Sequence, residues 1–325
     1  MEESVFEPRS NLSALQEAVA NVTAQIKKVI VGQESMVRLI LTALLADGHV
    51  LIEGVPGVAK TLTAKLMARS LSVPFSRIQF TPDLMPSDVL GTPVFNPGEG
   101  KFEFKRGAIF SNIILIDEIN RAPAKTQAAL FEVMEERQVT LDGRTYHMPP
   151  PFMVLATQNP IEQEGTYRLP EAQLDRFLFK ITVPYPNEEE ELQILTDFNQ
   201  RGAQEVVATM EEVLQKETIL EIKQQVKKQL IEEKLLQFIA SLVHRTRNHK
   251  SIYLGASPRA SLAIMNAAKA IAAISGRDFV TPEDILEVVP PVLRHRIILS
   301  PDKEMEGVTE DAVIRDIVNT LDIPR

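Results

Sequence analysis

The residues from Gly54 to Thr61 read Gly-Val-Pro-Gly-Val-Ala-Lys-Thr, a combination of residue types and spacing that suits phosphate binding. The octet follows an apolar run at 49–52 and precedes a helix-like segment at 62–70, the order that a phosphate-binding loop needs. Its glycines allow backbone N–H groups to curl around phosphates, and the start of the next helix adds partial positive charge. Lys60 is expected to neutralise the phosphates, and the Thr61 hydroxyl to hold Mg²⁺.

One position of the octet departs from the strict phosphate-loop pattern, because Ala59 stands where glycine normally precedes the lysine. A plain Gly-Pro turn between a strand and a helix is the alternative interpretation. Under the phosphate-loop interpretation, the residues expected to contact nucleotide are Gly54, Val55, Pro56, Gly57, Val58, Ala59, Lys60, Thr61 and Leu62.

Two carboxylates, Asp117 and Glu118, end the apolar run Ile113-Ile-Leu-Ile. A buried strand with this ending delivers both to the carboxyl edge of a parallel sheet, where open α/β sheets bind ligands. Adjacent strand residues point to opposite faces, so we expect Asp117 to hold Mg²⁺ and Glu118 to polarise the attacking water. A solvated acidic pair is the alternative, but the nearby phosphate loop favours a site that binds and cleaves a nucleoside triphosphate.

A polar amide follows the next apolar run, in Ala156-Thr-Gln-Asn-Pro. At the tip of a neighbouring strand, Asn159 is expected to hydrogen-bond the γ-phosphate or the attacking water. Taken alone, Asn159-Pro160 is a common turn initiator, so the assignment depends on its position in the sheet.

The composition describes a soluble globular protein: 325 residues, 44% hydrophobic and 24% charged, enough for two domains with separate cores. There is no apolar stretch of membrane-spanning length and no signal-peptide pattern, so a cytoplasmic location without a membrane segment is expected. Zero cysteines exclude disulfides, thiolate–zinc sites and a cysteine nucleophile. The net charge of −9 argues against a nucleic-acid partner.

Two regions of the chain differ in pattern. Up to about residue 185, short β-like runs alternate with helix-like segments, which predicts an α/β fold with a parallel sheet covered by helices. Beyond it, helical periodicity dominates, including a long stretch at 211–243. The predicted domains are an N-terminal helix with a nucleotide-binding core over 1–186, and an all-helical lid over 187–325.

Two segments of the predicted core have hairpin patterns. Residues 138–146 alternate around the turn dipeptide Asp142-Gly143, and a second alternation surrounds Phe102 and Phe104. These patterns predict two hairpins, and a simple role in covering a sheet edge is one interpretation of them.

Four long motifs carry a family resemblance: Asp117-Glu-Ile-Asn-Arg-Ala-Pro, the run 156–167, Leu169-Pro-Glu-Ala-Gln-Leu-Asp-Arg-Phe and Gly255-Ala-Ser-Pro-Arg. Together they resemble the MoxR family of AAA+ ATPases, in the helix-2-insert clade, over approximately residues 25–300. The resemblance implies an AAA+ P-loop core with a helical lid. Members of this family often carry alanine at the position of Ala59.

The resemblance also implies roles for residues outside the two nucleotide motifs. Arg176 is similar to the arginine finger that reaches the γ-phosphate bound by a neighbouring subunit, a task that suits a planar, permanently charged guanidinium. Arg259 is similar to the second sensor at the start of a lid helix. Val31 and Gly32 resemble the segment that packs on adenine. Surface salt bridges for the arginines and a plain helix–turn connection at 31–32 remain open alternatives.

The activity implied by the resemblance is Mg²⁺-dependent ATP hydrolysis in a homo-oligomer, a hexameric ring with ATP between subunits. Turnover would drive chaperone-like remodelling, maturation or metal-insertion activation of a client protein complex, with a von Willebrand factor A domain protein as a possible partner class. Two alternatives stay open: a nucleotide-gated binding module with negligible turnover, and a DNA-acting ring motor.

Overall fold

The computed structural model describes residues 12–141, 143–159, 167, 169–201 and 211–324. Its helices are α1 (Leu12–Lys27), α2 (Glu34–Leu45), α3 (Lys60–Ser70), α4 (Pro86–Leu90), α5 (Ala124–Glu136), α6 (Glu171–Leu174), α7 (Glu188–Arg201), α8 (Lys216–Lys227), α9 (Glu233–Thr246), α10 (Pro258–Ile274), α11 (Pro282–Leu293), α12 (Pro301–Met305) and α13 (Glu310–Asn319).

Its strands are β1 (Val50–Gly54), β2 (Phe75–Gln79), β3 (Gly91–Asn96), β4 (Lys101–Arg106), β5 (Ile113–Asp117), β6 (Gln138–Leu141), β7 (Arg144–His147), β8 (Met153–Gln158), β9 (Phe179–Val183), β10 (Ile252–Leu254) and β11 (Ile298–Leu299). The described residues form two compact units. The core unit comprises residues 22–40 and 47–217, and the helical unit comprises 12–21, 41–46 and 218–324. The predicted domain boundary after residue 186 stays a prediction.

A five-stranded sheet forms the centre of the core unit, in the order β2-β5-β8-β1-β9. All four pairings are parallel, which agrees with the α/β fold expected from the alternating pattern. Strand β5 is buried along its whole length, as its uninterrupted apolar run predicts for a central parallel strand. The sheet therefore has a single carboxyl edge at which the ends of neighbouring strands meet.

Both predicted hairpins are present in the core unit. Strands β3 and β4 pair antiparallel, with the exposed rings of Phe95 and Phe102 facing each other at 5.3 Å between centroids. Strands β6 and β7 pair in the register Leu141↔Arg144. Asp142, the first residue of the predicted turn, lies outside the described residues, whereas Gly143 has the positive φ of 75° that favours glycine there.

The stretch 211–243, in which helical periodicity is predicted, contains two helices, α8 and part of α9, with a break between them. At the break, the N–H of Leu230 donates to Asp278 O, and the N–H of Val280 donates to Leu230 O. These long-range bonds satisfy backbone groups that would otherwise pair within a continuous helix.

Helix α11 begins immediately after its N-cap, Thr281. The N–H of Thr281 donates to Asp284 Oδ2 at 2.8 Å, and Pro282 occupies the first turn of α11. Among the described residues, no helix has the length and apolar character needed to cross a membrane.

A buried histidine joins one helix of the core unit to the sheet. His49 is 4% exposed, and its Nδ1 accepts the N–H of Val154 at 3.0 Å. Its Nε2 lies 3.1 Å from the Met134 carbonyl oxygen. Because Nδ1 accepts, Nε2 must carry the proton and donate, so the ring is neutral and its tautomer is fixed. His49 thereby connects α5 to β8 just before β1 begins.

We predict that His49→Leu will lower the free energy of unfolding by about 1–3 kcal/mol, because it leaves a buried N–H and a buried carbonyl without partners. Urea denaturation followed by circular dichroism measures the change. His147→Leu is the matched control: His147 is exposed on β7, so its replacement should shift stability by less than about 0.5 kcal/mol. Equal effects of the two variants would contradict the structural role of His49.

Candidate nucleotide site

A cleft of about 400 Å³ lies at the carboxyl edge of the sheet in the core unit. It is surrounded by the loop between β1 and α3, the end of β2, and the segments after β5 and β8. Its lining residues are Pro56, Gly57, Ala59, Lys60, Thr61, Leu62, Arg77, Gln79, Asp117, Glu118, Thr157 and Asn159. The phosphate loop and the Asp117–Glu118 pair are distant in sequence, yet both face one cavity, because the order of the parallel strands brings them to the same edge.

The lysine of the predicted phosphate loop bends back onto the loop itself. Lys60 begins α3, and its Nζ donates to the Gly54 carbonyl oxygen at 2.6 Å. Burial lowers the pKa of Lys60, while the nearby carboxylates of Asp117, Glu118 and Glu53 act in the opposite direction. Its ammonium is thus a partly desolvated cation at the place where phosphates are expected.

The backbone of the loop explains the departure at position 59. Ala59 has φ 58° and ψ 19°, the left-handed conformation, immediately before α3. Glycine reaches this region without steric cost, whereas an L-residue with a Cβ pays about 1–2 kcal/mol. Gly57 also has a positive φ, of 89°, although a Cβ there would meet no atom within 4 Å. Conformation, not space, is what favours glycine at both positions.

The prediction that Asp117 and Glu118 point to opposite faces is wrong. Strand β5 ends at Asp117, and Glu118 adopts φ 57° and ψ 54° at the start of the short 3-10 turn Ile119–Arg121. Because Glu118 leaves the strand in a left-handed conformation, the alternation of side chains stops there, and both carboxylates line the same cleft.

Both oxygens of the Asp117 carboxylate accept hydrogen bonds. Thr61 Oγ1 at 3.4 Å and Thr157 Oγ1 at 3.2 Å donate to Oδ1, and Arg77 Nε donates to Oδ2 at 2.6 Å. Asp117 is only 7% exposed, so these partners replace most of the water that a free carboxylate would bind.

The Glu118 carboxylate is held from two sides. Its Oε2 accepts a hydrogen bond from Gln79 Nε2 at 2.7 Å and forms an ion pair with Arg121 Nε at 3.0 Å. Its backbone N–H donates to Thr157 Oγ1 at 3.1 Å. The Thr157 hydroxyl therefore accepts from Glu118 and donates to Asp117, which couples the positions of the two carboxylates.

The other predicted site residues are placed differently. Asn159 follows β8 and lines the cleft. Arg176 does not line it: Nη1 donates to the Phe131 carbonyl oxygen and pairs with Glu135 Oε2 at 2.8 Å, both on α5. Arg259 is exposed in the first turn of α10, within the helical unit.

The two residues predicted to pack on adenine, Val31 and Gly32, lie in the core unit but are not among the lining residues of the cleft. Gly32 has a positive φ of 75°, and the Glu190 carboxylate occupies the place of a Cβ there. A larger residue at position 32 would therefore meet both strain and a steric contact. The adenine role of this segment stays a prediction.

The oxygen groups in the cleft fit a magnesium ion bound together with phosphates. The Thr61 hydroxyl and the Asp117 carboxylate are hard oxygen donors 3.4 Å apart, and Mg²⁺ prefers one or two such groups plus phosphate oxygens and water. Within the part of the chain that the structure describes, no group of three or more His, Cys, Asp or Glu residues could hold a metal ion.

Three lining residues, Arg77, Gln79 and Thr157, were not predicted from the sequence. Arg77 and Gln79 are two residues apart on β2, the period that places side chains on the same face of a strand. Thr157 ends the buried part of β8, two residues before Asn159. The polar alternation at the end of β2 was the sequence signal that could have indicated Arg77 and Gln79. It points to the cleft only if β2 is known to lie next to β5.

Comparison with known proteins defines the class. A family model described as "ATPase family associated with various cellular activities (AAA)" matches residues 49–179, and a model described as "AAA lid domain" matches residues 244–317. The fold and the cleft are thus those of an AAA ATPase with a P-loop and a lid.

The relatives narrow this class. The chain is 44% identical to Chaperone MoxR1 of Mycobacterium tuberculosis, over 93% of this chain and 81% of that protein. It is 46% identical to YeaC of Bacillus subtilis, over 92% of each chain. A crystal structure from Cytophaga hutchinsonii matches with a TM-score of 0.89 and 42% identity, over 97% of each chain. The chain belongs to the MoxR family of AAA+ ATPases.

We predict that Thr157→Val will reduce steady-state phosphate release by about tenfold, because Asp117 and Glu118 lose the hydroxyl that fixes both. Thr157→Ser is the matched control, since it keeps the hydroxyl and should retain most of the turnover. Equal turnover in the wild-type and valine proteins would show that the hydroxyl does not position the carboxylates.

Proposed function

We propose that this ATPase hydrolyses ATP with Mg²⁺ at sites completed by a neighbouring subunit of a ring. The observation that carries the proposal is the convergence of Lys60, Thr61, Asp117, Glu118 and Asn159 on one cleft. Phosphoryl transfer to water needs a cation for the phosphates, two oxygen donors for a metal, a carboxylate base and an amide that orients the water.

Substrate binding starts at the loop 54–62. Backbone N–H groups of this loop would surround the β- and γ-phosphates, and the N-terminus of α3 would add its partial positive charge. Lys60 Nζ would leave the Gly54 carbonyl oxygen and pair with phosphate oxygens, which offer a charged partner in its place. Thr61 and Asp117 would hold Mg²⁺, which neutralises phosphate charge when bound.

In the proposed hydrolysis, Glu118 and Asn159 act on the attacking water. The Glu118 carboxylate would accept a proton from water as the water oxygen bonds to the γ-phosphorus, while the bond from phosphorus to the β–γ bridging oxygen breaks and ADP leaves. Asn159 would orient this water or a γ-phosphate oxygen. Release of Glu118 from both Gln79 and Arg121 would free its Oε2 oxygen, which both residues now contact.

Two arginines would complete the site. Arg176 lies outside its own chain's cleft, which supports a role at the γ-phosphate of a neighbouring subunit. Arg259, at the start of α10, would contact phosphates from the same chain, and Val31 and Gly32 would pack on adenine. These roles rest on the family likeness and on the positions along the chain.

The wider function rests on the relatives. Chaperone MoxR1 supports chaperone-like remodelling or maturation of a client protein complex by this chain. A hexameric ring, a von Willebrand factor A domain partner and a cytoplasmic location remain predictions. The exposed aromatic pair of Phe95 and Phe102 on the β3–β4 hairpin is a candidate contact for such a client.

We predict that Glu118→Gln will bind ATP and hydrolyse it at least about a hundredfold more slowly, because the amide cannot accept the proton. Phosphate release and binding of a fluorescent ATP analogue measure the two effects separately. Lys60→Ala is the comparison variant, and it should lose tight nucleotide binding itself. Unchanged turnover in Glu118→Gln would move the base elsewhere, and tight binding by Lys60→Ala would overturn the phosphate-loop assignment.

We predict that mixing Arg176→Ala subunits with Lys60→Ala subunits will restore part of the turnover that each lacks alone. At mixed interfaces, an intact cleft of the first variant meets an intact arginine of the second. Mixing Lys60→Ala with Glu118→Gln is the control, since both variants damage the cleft and no combination restores one. Absence of recovery at every ratio in the first mixture would contradict the role of Arg176 in a neighbouring site.

A further inference from the structure

Arg77, on the edge strand of the sheet, is paired with the Asp117 carboxylate, which binds the metal in the proposed function. Arg77 lies on β2, which pairs with β5 in the register Arg77↔Leu115 and Gln79↔Asp117. Its Nε donates to Asp117 Oδ2 at 2.6 Å, and its side chain lines the cleft. No other cation has a comparably short contact with this carboxylate among the described residues.

The exposures of the two partners differ in a way that allows exchange. The Arg77 side chain is 53% exposed, whereas that of Asp117 is 10% exposed. Arg77 can move into water by side-chain rotation, with no change in the backbone of β2. Asp117 cannot follow, because Thr61 and Thr157 hold its other oxygen. Its buried charge is therefore stabilised by a cation at Oδ2.

We propose that Arg77 is an internal counter-ion of Asp117, which leaves the carboxylate only when Mg²⁺ enters together with a nucleotide. This rests on the proposed function, in which Asp117 holds the metal. Free Mg²⁺ gives up its water reluctantly, and one carboxylate already paired with a guanidinium offers little in return. With nucleotide present, phosphate oxygens supply further ligands for the metal and a new planar partner for the displaced guanidinium.

The consequence is thermodynamic coupling between metal and nucleotide. Arg77 weakens binding of the metal alone, but it competes less once phosphates can accept its guanidinium. By reciprocity, the metal then strengthens nucleotide binding by the same factor by which the nucleotide strengthens metal binding. Removing Arg77 should reduce that factor by making metal binding possible without nucleotide.

The test uses the full chain with Arg77→Met, which keeps an unbranched stem and removes the charge. Mn²⁺ serves as the probe, because its binding is counted directly by electron paramagnetic resonance, without and with ADP. We expect Arg77→Met to bind Mn²⁺ without nucleotide on the order of tenfold more tightly than wild type. The ADP-dependent gain in Mn²⁺ affinity should fall by a similar factor.

Two controls separate the specific effect of Arg77 on Mn²⁺ binding from a general loss of positive charge. Arg69→Met removes a half-exposed arginine of α3 that pairs with Glu212 and does not line the cleft, and it should leave Mn²⁺ binding unchanged. Arg77→Lys keeps the charge without the planar guanidinium, and its Mn²⁺ affinity should lie between those of wild type and the methionine variant. Arg77→Gln replaces the methionine variant if that protein does not fold.

Unchanged or weaker Mn²⁺ binding without nucleotide in Arg77→Met and Arg77→Gln would overturn the proposal, since Arg77 would then only hold Asp117 in position. Asp117→Asn distinguishes this failure from failure of the proposed function. If Asp117→Asn loses Mn²⁺ binding in the presence of ADP while the Arg77 variants match wild type, only the counter-ion role is wrong. If Asp117→Asn binds Mn²⁺–ADP normally, the metal role of Asp117 is wrong.

Discussion

The parallel register of the central sheet positions every polar group of the cleft. Gln79 lies opposite Asp117, and Ile116 lies opposite Ala156, so β2, β5 and β8 end side by side. Strand β1 ends at the same edge and leads into the phosphate loop. A shift of β2 by one residue would turn Arg77 and Gln79 to the opposite face and remove both from the carboxylates. The chemistry of the site therefore depends on strand pairing more than on any loop.

Two residues at this edge keep left-handed backbones without being glycine. Such conformations cost about 1–3 kcal/mol each and persist where surrounding contacts hold them. At Glu118 those contacts are visible: Thr157 accepts its N–H, and its carbonyl oxygen accepts the N–H of Arg121. At Ala59 the carbonyl oxygen accepts both the N–H and the hydroxyl of Thr63 in the first turn of α3. At Glu118 this conformation brings the carboxylate to the cleft.

The sequence predicted the parts of the site that are encoded locally. Lys60 follows a strand and a glycine-rich turn, and Asp117 ends an apolar run, so each can be assigned from its neighbours in sequence. Arg77 could not be found this way, because its importance comes from a neighbouring strand whose place in the sheet order is a long-range property. The same limit explains the orientation of Glu118 and the break at Leu230, where tertiary hydrogen bonds override local periodicity.

Arg77 and Arg176 are each paired with a carboxylate of the core unit, and these two pairs differ in what their separation requires. Asp117 is buried, so departure of Arg77 leaves a charge that water reaches poorly and that an entering cation would stabilise. Glu135 is 37% exposed, and water can solvate it when Arg176 leaves. Under the proposed function, Arg77 would therefore move only in exchange for a metal, whereas Arg176 would need only a stronger anion nearby. A γ-phosphate on an adjacent subunit is such an anion. Metal binding would therefore displace Arg77, whereas contact between subunits of the ring would displace Arg176.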